Sequence, residues 1–169
     1  MATFFTSDTH FGDHRVLNLY PRPFANVAEM DAGLVARWNA VCGPGDEVWH
    51  LGDFARTPAQ AAAILPQLNG AKHLIVGNND RPPTPDGWES VASYAEIERG
   101  GVLLVLCHYP FRSWNGQQKG AWNLHGHSHG RLAPLTRQRD VGVDANDYAP
   151  VRLEELIAKT SRRRSIAGA

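Results

Sequence analysis

Short apolar runs of strand length recur along the chain, and many of them are rich in aromatic and β-branched residues. Runs of this kind, when turn-forming residues bound them, predict β-strands. Strands are predicted at Thr3 to Ser7, Asp46 to Leu51, His73 to Val76, Tyr94 to Glu98, Val102 to Cys107, Trp122 to His125 and Arg139 to Val143. The two runs on either side of Gly100-Gly101 are expected to pair as a hairpin.

Helical patterns separate several of these strands. Val27 to Val41 carries apolar residues at helical spacing and stops at Gly43-Pro44-Gly45. Thr57-Pro58 supplies an N-cap and a proline at the first helical position, so a helix is expected from there toward Leu68. Further helices are predicted at Val16 to Tyr20, near Trp88 and at Leu153 to Lys159. Strands that alternate with helices predict an α/β fold, and residues 1–160 are expected to form a single domain.

Side chains that bind metals follow five of the predicted strands. Asp53 after Gly52 would, taken alone, be read as a cap for the next element. Similar endings occur elsewhere, and open α/β sheets bind their ligands at the carboxyl ends of strands. The residues at these ends are Asp8, His10, Asp53, Asn78, His108, His127 and His129. This mixed oxygen and nitrogen set is too large for one four-coordinate ion, and it suits two divalent ions roughly 4 Å apart that share a carboxylate.

Charge and composition limit the classes of partner. The chain has 17 basic and 17 acidic residues, so no global field attracts nucleic acid or an anionic membrane. Ala2 to Phe5 is too short for the apolar centre of a signal peptide, and no run has membrane-spanning length. Cys42 and Cys107 are too isolated to indicate a disulfide framework. We therefore expect a cytoplasmic protein with a frayed, basic tail at residues 161–169, and the oligomeric state stays open.

The order of these motifs resembles that of a known enzyme family. Asp8-x-His10, Gly52-Asp53, Gly77-Asn78-x-Asp80, His108 and Gly126-His127-x-His129 follow one another as in the calcineurin-like metallophosphoesterases. Ser7 to Gly12, with Arg22-Pro23-Phe24, further resembles a small stand-alone bacterial-type branch of that family. The resemblance extends to about Asp144. It implies two packed mixed β-sheets flanked by helices, in a four-layer sandwich with metals at the strand ends.

The same resemblance implies a role for each ligand. Asp8, His10 and His129 would hold one ion, and Asn78, His108 and His127 the other. Asp53 would bridge the two ions, and a hydroxide between them would attack the phosphorus of a small phosphate ester. Manganese, iron, zinc and nickel all suit this donor set, so the identity of the metals stays open.

One position departs from the family pattern. The motif that usually reads Gly-Asn-His followed by Asp or Glu reads Gly77-Asn78-Asn79-Asp80 here. The resemblance makes residue 79 a phosphate contact and a leaving-group acid, but an asparagine amide donates a hydrogen bond without delivering a proton. A positioned general acid contributes about 10² to 10⁴ in rate. A phosphodiesterase is therefore favoured over a monoesterase.

Two alternatives to the phosphodiesterase stay open. One is a phosphomonoesterase whose acid is His14 or a metal-bound water. The other is a non-catalytic scaffold that keeps the metals. Catalytic roles are thus considered for Asn79, Asp80 and His14, and substrate binding for Asn79 and Arg22.

Other polar and aromatic side chains allow two interpretations each. Arg22 and Arg81 would be either phosphate contacts or surface cations. His50 and His73 fit buried, hydrogen-bonded imidazoles better than ligands, whereas His125 would support the neighbouring ligands. Trp114 and Trp122 would either stack on substrate or pack in the core. The polar segment Trp114 to Gly120 is expected to form a flexible rim.

Overall fold

Two mixed β-sheets form the centre of the protein. The structure is a computed structural model, and it describes residues 1–158. Its strands are β1 Thr3–Thr6, β2 Glu47–His50, β3 Ala71–Ile75, β4 Ser90–Ala92, β5 Tyr94–Arg99, β6 Val102–Cys107, β7 Trp122–His125, β8 Gln138–Asp140 and β9 Val151–Arg152. The first sheet has the order β4-β3-β2-β1-β9, and the second has the order β5-β6-β7-β8. The predicted α/β class with two mixed sheets is confirmed.

Parallel pairing brings the carboxyl ends of the central strands to one edge of each sheet. In the first sheet β1 to β4 are parallel and β9 is antiparallel to β1. In the second sheet β6, β7 and β8 are parallel and β5 pairs antiparallel with β6. The loops after β1, β2 and β3 therefore lie side by side at one edge of the first sheet. The loops after β6 and β7 lie side by side at one edge of the second sheet.

Three α-helices begin and end close to their predicted bounds. They are α1 Arg15–Leu19, α2 Val27–Val41 and α3 Pro58–Ile64, and a 3₁₀ turn at Leu65–Gln67 continues α3. The side chain of Thr57 accepts the backbone N–H of Gln60 as the N-cap of α3, as its sequence predicts. Residues 153–158 are also helical. No helix in this described part of the chain is long and apolar enough to cross a membrane.

Alternating side chains divide the apolar residues between two cores. Phe5 and Trp49 of the first sheet pack between the sheets with Leu106 and Leu124 of the second. Their neighbours along the strands, Phe4 and Val48, point to the opposite face, as the two-residue period of a strand requires. There they pack beneath α2 and α3. The strand ends that carry the predicted ligands are thus fixed from both faces of the first sheet.

A looped segment covers the outer face of the second sheet. Val105 packs there against Trp114 and Ala121, and the indole N–H of Trp114 donates to the carbonyl of Ala121. Trp114 is 8% exposed. The segment is therefore anchored by a buried indole, which differs from the flexible rim that its polar sequence predicts.

The remaining sequence predictions have mixed outcomes. The helix predicted near Trp88 is wrong, because the chain continues into β4 and pairs with β3. The strand β9, which precedes the closing helix, was not predicted. The frayed tail predicted at residues 161–169 lies outside the described residues, as does the last predicted residue of the closing helix.

Candidate metal centre

The seven residues predicted as ligands converge at the shared edge of the two sheets. Backbone hydrogen bonds join Asp8 to Gly52 and His10 to Asp53, which aligns the loops after β1 and β2. The backbone N–H of His127 donates to a carboxylate oxygen of Asp8 and so ties the two sheets together at this edge. An open cleft of about 220 Å³ lies here, and its lining includes His10, Asp53, Asn78, Asn79, His127 and His129.

Asp8, His10 and His129 form the first cluster that could hold a metal ion, with ligand atoms within 4.8 Å of one another. The Oδ1 atom of Asp8 lies 3.9 Å from Nε2 of His10 and 3.7 Å from Nε2 of His129. These separations are too long for hydrogen bonds. Both Oδ1 of Asp8 and Nε2 of His10 are buried and have no hydrogen-bond partner among the described residues. A cation between them would satisfy both atoms.

Asn78, His108 and His127 meet on the other side of Asp53. The Oδ1 atom of Asn78 lies 3.0 Å from Nε2 of His108 and 3.0 Å from Nδ1 of His127. Because Nδ1 of His108 faces the carbonyl of Leu51 at 2.8 Å, that nitrogen must be the donor in a neutral ring. Nε2 of His108 then presents a lone pair to another acceptor, the oxygen of Asn78. Two facing acceptors are an arrangement that a bound cation stabilises.

Asp53 lies between the two sets. Its Oδ2 is 3.6 Å from Nε2 of His10, and its Oδ1 is 3.7 Å from Nε2 of His108. One carboxylate oxygen thus faces a histidine of the first set, and the other faces a histidine of the second set. Asp8, Asp53 and His108 also form a second cluster of potential ligand atoms within 4.8 Å of one another.

The electrostatics of this edge favour a cation. Burial, with the charges of Asp53 and Asp140, raises the pKa of Asp8 well above its usual range. Burial also lowers the pKa of His10 to about 4 and lowers that of His127. Neutral imidazoles carry the lone pair that a metal requires, whereas a buried carboxylate needs a counter-charge. A divalent ion supplies that counter-charge.

Hydrogen bonds from outside the ligand set orient two of the histidines. His129 donates from Nδ1 to Asp144 at 2.7 Å, and this leaves Nε2 directed toward Asp8. The ring of Tyr20 stacks on His129 with centroids 3.8 Å apart. Carboxylate–histidine pairs of this kind fix the tautomer and the direction of a ligating imidazole. Neither Asp144 nor Tyr20 was predicted as a site residue, although Asp144 directly follows the predicted strand Arg139 to Val143.

The ligand loops have an unusual backbone conformation. Eight non-glycine residues have positive φ within the described chain, and five of them are predicted ligands. These five are Asp8, His10, Asp53, His127 and His129, with φ between 47° and 65°. Left-handed backbone is unfavourable for such residues and concentrates at functional sites. The backbone conformation, which does not depend on side-chain chemistry, therefore distinguishes five of the seven predicted ligands.

Asn79 and Asp80 hold the loop that follows β3. Asn79 donates its backbone N–H and its side-chain amide to the two oxygens of Asp53, at 2.7 and 2.6 Å. Asp80 accepts the backbone N–H groups of Asp53, Phe54 and Gly77 at 2.8 Å each. Asp80 thus positions the loops around Asp53, and Asn79 orients that carboxylate at the cleft.

The substrate-binding prediction for Arg22 is wrong. Its side chain is completely buried, and it forms an ion pair with Asp144 at 2.8 Å. It also donates to the backbone carbonyls of Asp8 and Thr9. Its guanidinium therefore stabilises the loop behind the ligands, and the arginine that lines the cleft is Arg15. Burial favours protonated Asp144, but the hydrogen bonds from His129 and Arg22 outweigh it and lower the pKa of Asp144.

Within residues 1–158, His14 makes no contact that supports its predicted role as an acid. It is exposed at the start of α1, and its side chain makes no capping hydrogen bond. Asp13 and Arg15 on either side of it line the cleft, whereas His14 does not. Arg81 is exposed and lies beside a neighbouring pocket, with Arg56.

The other histidines and tryptophans are structural. His50 is fully buried and lies 3.0 Å from the hydroxyl of Thr9, and His73 stacks on Trp49. His125 is buried with Nδ1 on the carbonyl of Gly126, so it supports the loop that carries two ligands. Trp122 is 6% exposed within the core between the sheets. Like Trp114, it is not available for stacking on substrate.

Curated relatives match the chain along most of its length. An uncharacterized protein of Methanocaldococcus jannaschii is 31% identical over 161 residues, which cover 89% of this chain and 86% of the relative. The gene 66 proteins of Mycobacterium phages L5 and D29 are 31% and 32% identical and cover 85% and 87% of this chain. The matched regions are 86% and 90% of the two phage proteins.

The chain belongs to the family of these proteins. No family model matches it. The chain has the same fold as a protein of unknown function from Aquifex aeolicus whose crystal structure is known. The two structures align with a TM-score of 0.74 over 94% of this chain and 98% of that one. The two sequences are 23% identical, so this similarity concerns the fold alone.

Gly52 is required where β2 turns into the ligand loop. Its φ is +98°, and a Cβ there would lie 2.6 Å from Nδ1 of His108 and 2.7 Å from the backbone of Gly77. We expect Gly52→Ala to lower the free energy of unfolding by about 2 kcal/mol or more, measured by urea denaturation. Gly45→Ala is the matched control, because nothing lies within 4 Å of its Cβ position. Equal stability of the two variants would contradict this account of the turn.

Arg22→Gln should destabilise the fold because it removes the buried partner of Asp144. We expect a loss of about 3 kcal/mol in unfolding free energy, since a buried charge and two carbonyls lose their donors. Arg112→Gln is the control, because Arg112 is exposed and has no side-chain hydrogen bond or ion pair within residues 1–158. If Arg22→Gln kept its stability but weakened substrate binding, the structural role assigned to Arg22 would be wrong.

Proposed function

We propose that this protein is a phosphoesterase that depends on two divalent metal ions, with the four-layer fold and ligand roles of the calcineurin-like metallophosphoesterases. Its substrates are small phosphate esters, and diesters are preferred. The observation that carries the proposal is the convergence of two carboxylates, one amide and four imidazoles at the shared edge of the two sheets. Five of these residues line the open cleft, and two buried atoms, Oδ1 of Asp8 and Nε2 of His10, lack hydrogen-bond partners among the described residues. Such a donor set is typical of dinuclear hydrolytic sites.

In this proposal each ion takes its ligands from both sheets. Asp8, His10 and His129 hold the first ion, and Asn78, His108 and His127 hold the second. Asp53 bridges, which agrees with the distances of 3.6 and 3.7 Å from its two oxygens to His10 and His108. When bound, manganese, iron, zinc or nickel ions would supply an activated water and would neutralise charge on the phosphoryl oxygens.

Asn79 accounts for the preference for diesters. Its amide donates to Asp53 and lines the cleft, so it orients that carboxylate and can also donate to a phosphate oxygen. It has no acidic proton to give to a leaving group. Substrates whose leaving groups depart as stable anions are therefore favoured, and aryl diesters are model substrates of this kind.

Metal binding can be tested through stability. Protein stripped with a chelator should gain about 2.7 kcal/mol in unfolding free energy for each bound ion at a manganese concentration 100 times Kd, and its Tm should rise accordingly. Asp53→Asn should bind less metal, measured by elemental analysis after gel filtration, and should show little rise in Tm. Asp86→Asn is the control because Asp86 is exposed and outside the cleft. Equal metal content in the wild type and Asp53→Asn would contradict the bridging role.

The reaction can be tested with nitrophenyl esters. Manganese-loaded protein should turn over bis(p-nitrophenyl) phosphate faster than p-nitrophenyl phosphate, and Asp53→Asn should abolish both activities. Because residue 79 cannot protonate a leaving group, phenyl esters should be much slower than nitrophenyl esters. Asn79→His should reduce that gap about tenfold or more.

The same assay separates the alternatives. His14→Ala should leave the ratio of nitrophenyl to phenyl rates unchanged, and a wider gap in this variant would identify His14 as the acid. Monoester turnover that equals diester turnover would favour a monoesterase. If no metal supported turnover of either ester, the protein would be a metal-binding scaffold.

A further inference from the structure

A second pocket opens beside the candidate metal centre, and its lining is rich in arginine. It has a volume of about 330 Å³, and Arg15, Arg56 and Arg81 line it together with Asn79 and Thr57. Arg15 and Asn79 also line the metal cleft. The two cavities are therefore neighbours that share side chains, and a ligand of a few bonds' length could reach from one to the other.

A buried carboxylate holds two of the arginines in place. Asp13 is 1% exposed and accepts hydrogen bonds from Nε and Nη2 of Arg15 at 2.9 and 2.5 Å. Nη1 of Arg56 donates to the same carboxylate at 3.3 Å. Burial raises the pKa of Asp13, but the hydrogen bonds and charges of the two arginines outweigh it and lower the pKa to about 2. Both guanidinium groups are thus oriented before any ligand binds.

Arg81 adds a positive charge that no carboxylate of the described residues neutralises through an ion pair. No side-chain hydrogen bond or ion pair joins it to another residue of the described chain. The preceding carboxylate, Asp80, accepts three backbone N–H groups instead. Three guanidinium groups thus accompany the single carboxylate of Asp13. Because the whole chain carries no net charge, this excess is a local feature of the pocket wall.

We propose that this arginine pocket binds a second phosphate group of the substrate, attached within a few bonds of the phosphate at the metal centre. Guanidinium groups bind phosphate oxygens through paired, charge-assisted hydrogen bonds, which suits a fixed cluster of them. The inference rests on the proposed function and narrows its substrates to compounds with two neighbouring phosphates. The second phosphate belongs either to an anhydride or to a second ester on the same molecule.

Calorimetric titration of the manganese-loaded protein tests this pocket. The probes are inorganic phosphate and pyrophosphate for an anhydride, and thymidine 5′-monophosphate and thymidine 3′,5′-bisphosphate for an ester. In at least one pair, the compound with two phosphates should bind about tenfold tighter or more than its partner. The preference should weaken as salt is raised, because the pocket is open to solvent. The pair that shows it identifies the source of the second phosphate.

Variants assign the preference to the pocket. Arg56→Gln with Arg81→Gln should bring the affinity ratio close to one, and Arg81→Lys should retain part of it. Arg112→Gln with Lys119→Gln is the control with the same change of charge, because both side chains are exposed and outside the pocket, and it should keep the full ratio. A preference that survives the double variant, or equal binding of the two probes of both pairs by the wild type, would overturn the inference.

The outcome is separable from that of the proposed function. If the protein hydrolyses bis(p-nitrophenyl) phosphate but shows no preference for two phosphates, the function stands and the pocket assignment is wrong. If it shows the preference, and the double variant loses it, while no phosphate ester is cleaved, the anion pocket stands and the proposed function is wrong.

Discussion

Carboxylate oxygens and imidazole nitrogens face one another at the shared edge of the two sheets. The rest of the structure depends on holding these groups in place. Asp8 and Asp53 present buried carboxylate oxygens to imidazole nitrogens of His10, His108 and His129 at 3.6 to 3.9 Å. These groups are too far apart to satisfy one another by hydrogen bonds, and Oδ1 of Asp8 and Nε2 of His10 are buried without any partner among the described residues. Without a cation they destabilise the fold, so the surrounding structure must hold them in position.

The surrounding structure holds them through strand ends and buried partners. Left-handed backbone at five of the predicted ligands is unfavourable and persists only where neighbouring contacts determine it. Here the strands are fixed by side chains on both faces, such as Phe4 and Phe5, and Gly52 allows the close approach of the loops. Arg22 and Asp144 then support the loop after β1 from behind. Packing in the two cores therefore offsets the backbone strain at the site.

The sequence predicts the site better than its supporting residues. Polar residues that follow parallel strands meet at one edge of their sheet, and this rule led to the seven predicted ligands. The loop cation Arg22 was misassigned because its direction depends on Asp144, which lies 122 positions away in the chain. The strands β4 and β9 have three and two residues, too few for any periodic pattern. Both lie at the edges of the first sheet, where tertiary pairing decides the structure.

Asn79 connects the two inferences about the substrate. On the proposed function, the absence of an acid at this position disfavours leaving groups that need a proton. A phosphate that leaves from an anhydride is a stable anion and needs none. The arginine pocket shares Asn79 with the metal cleft, and it offers three guanidinium groups, two of them paired with Asp13, to such a group. Asn79, which cannot deliver a proton, thus lies between the metal centre and a site that can stabilise a negatively charged leaving group. The two features are chemically consistent with each other, because a substrate with two neighbouring phosphates would make use of both.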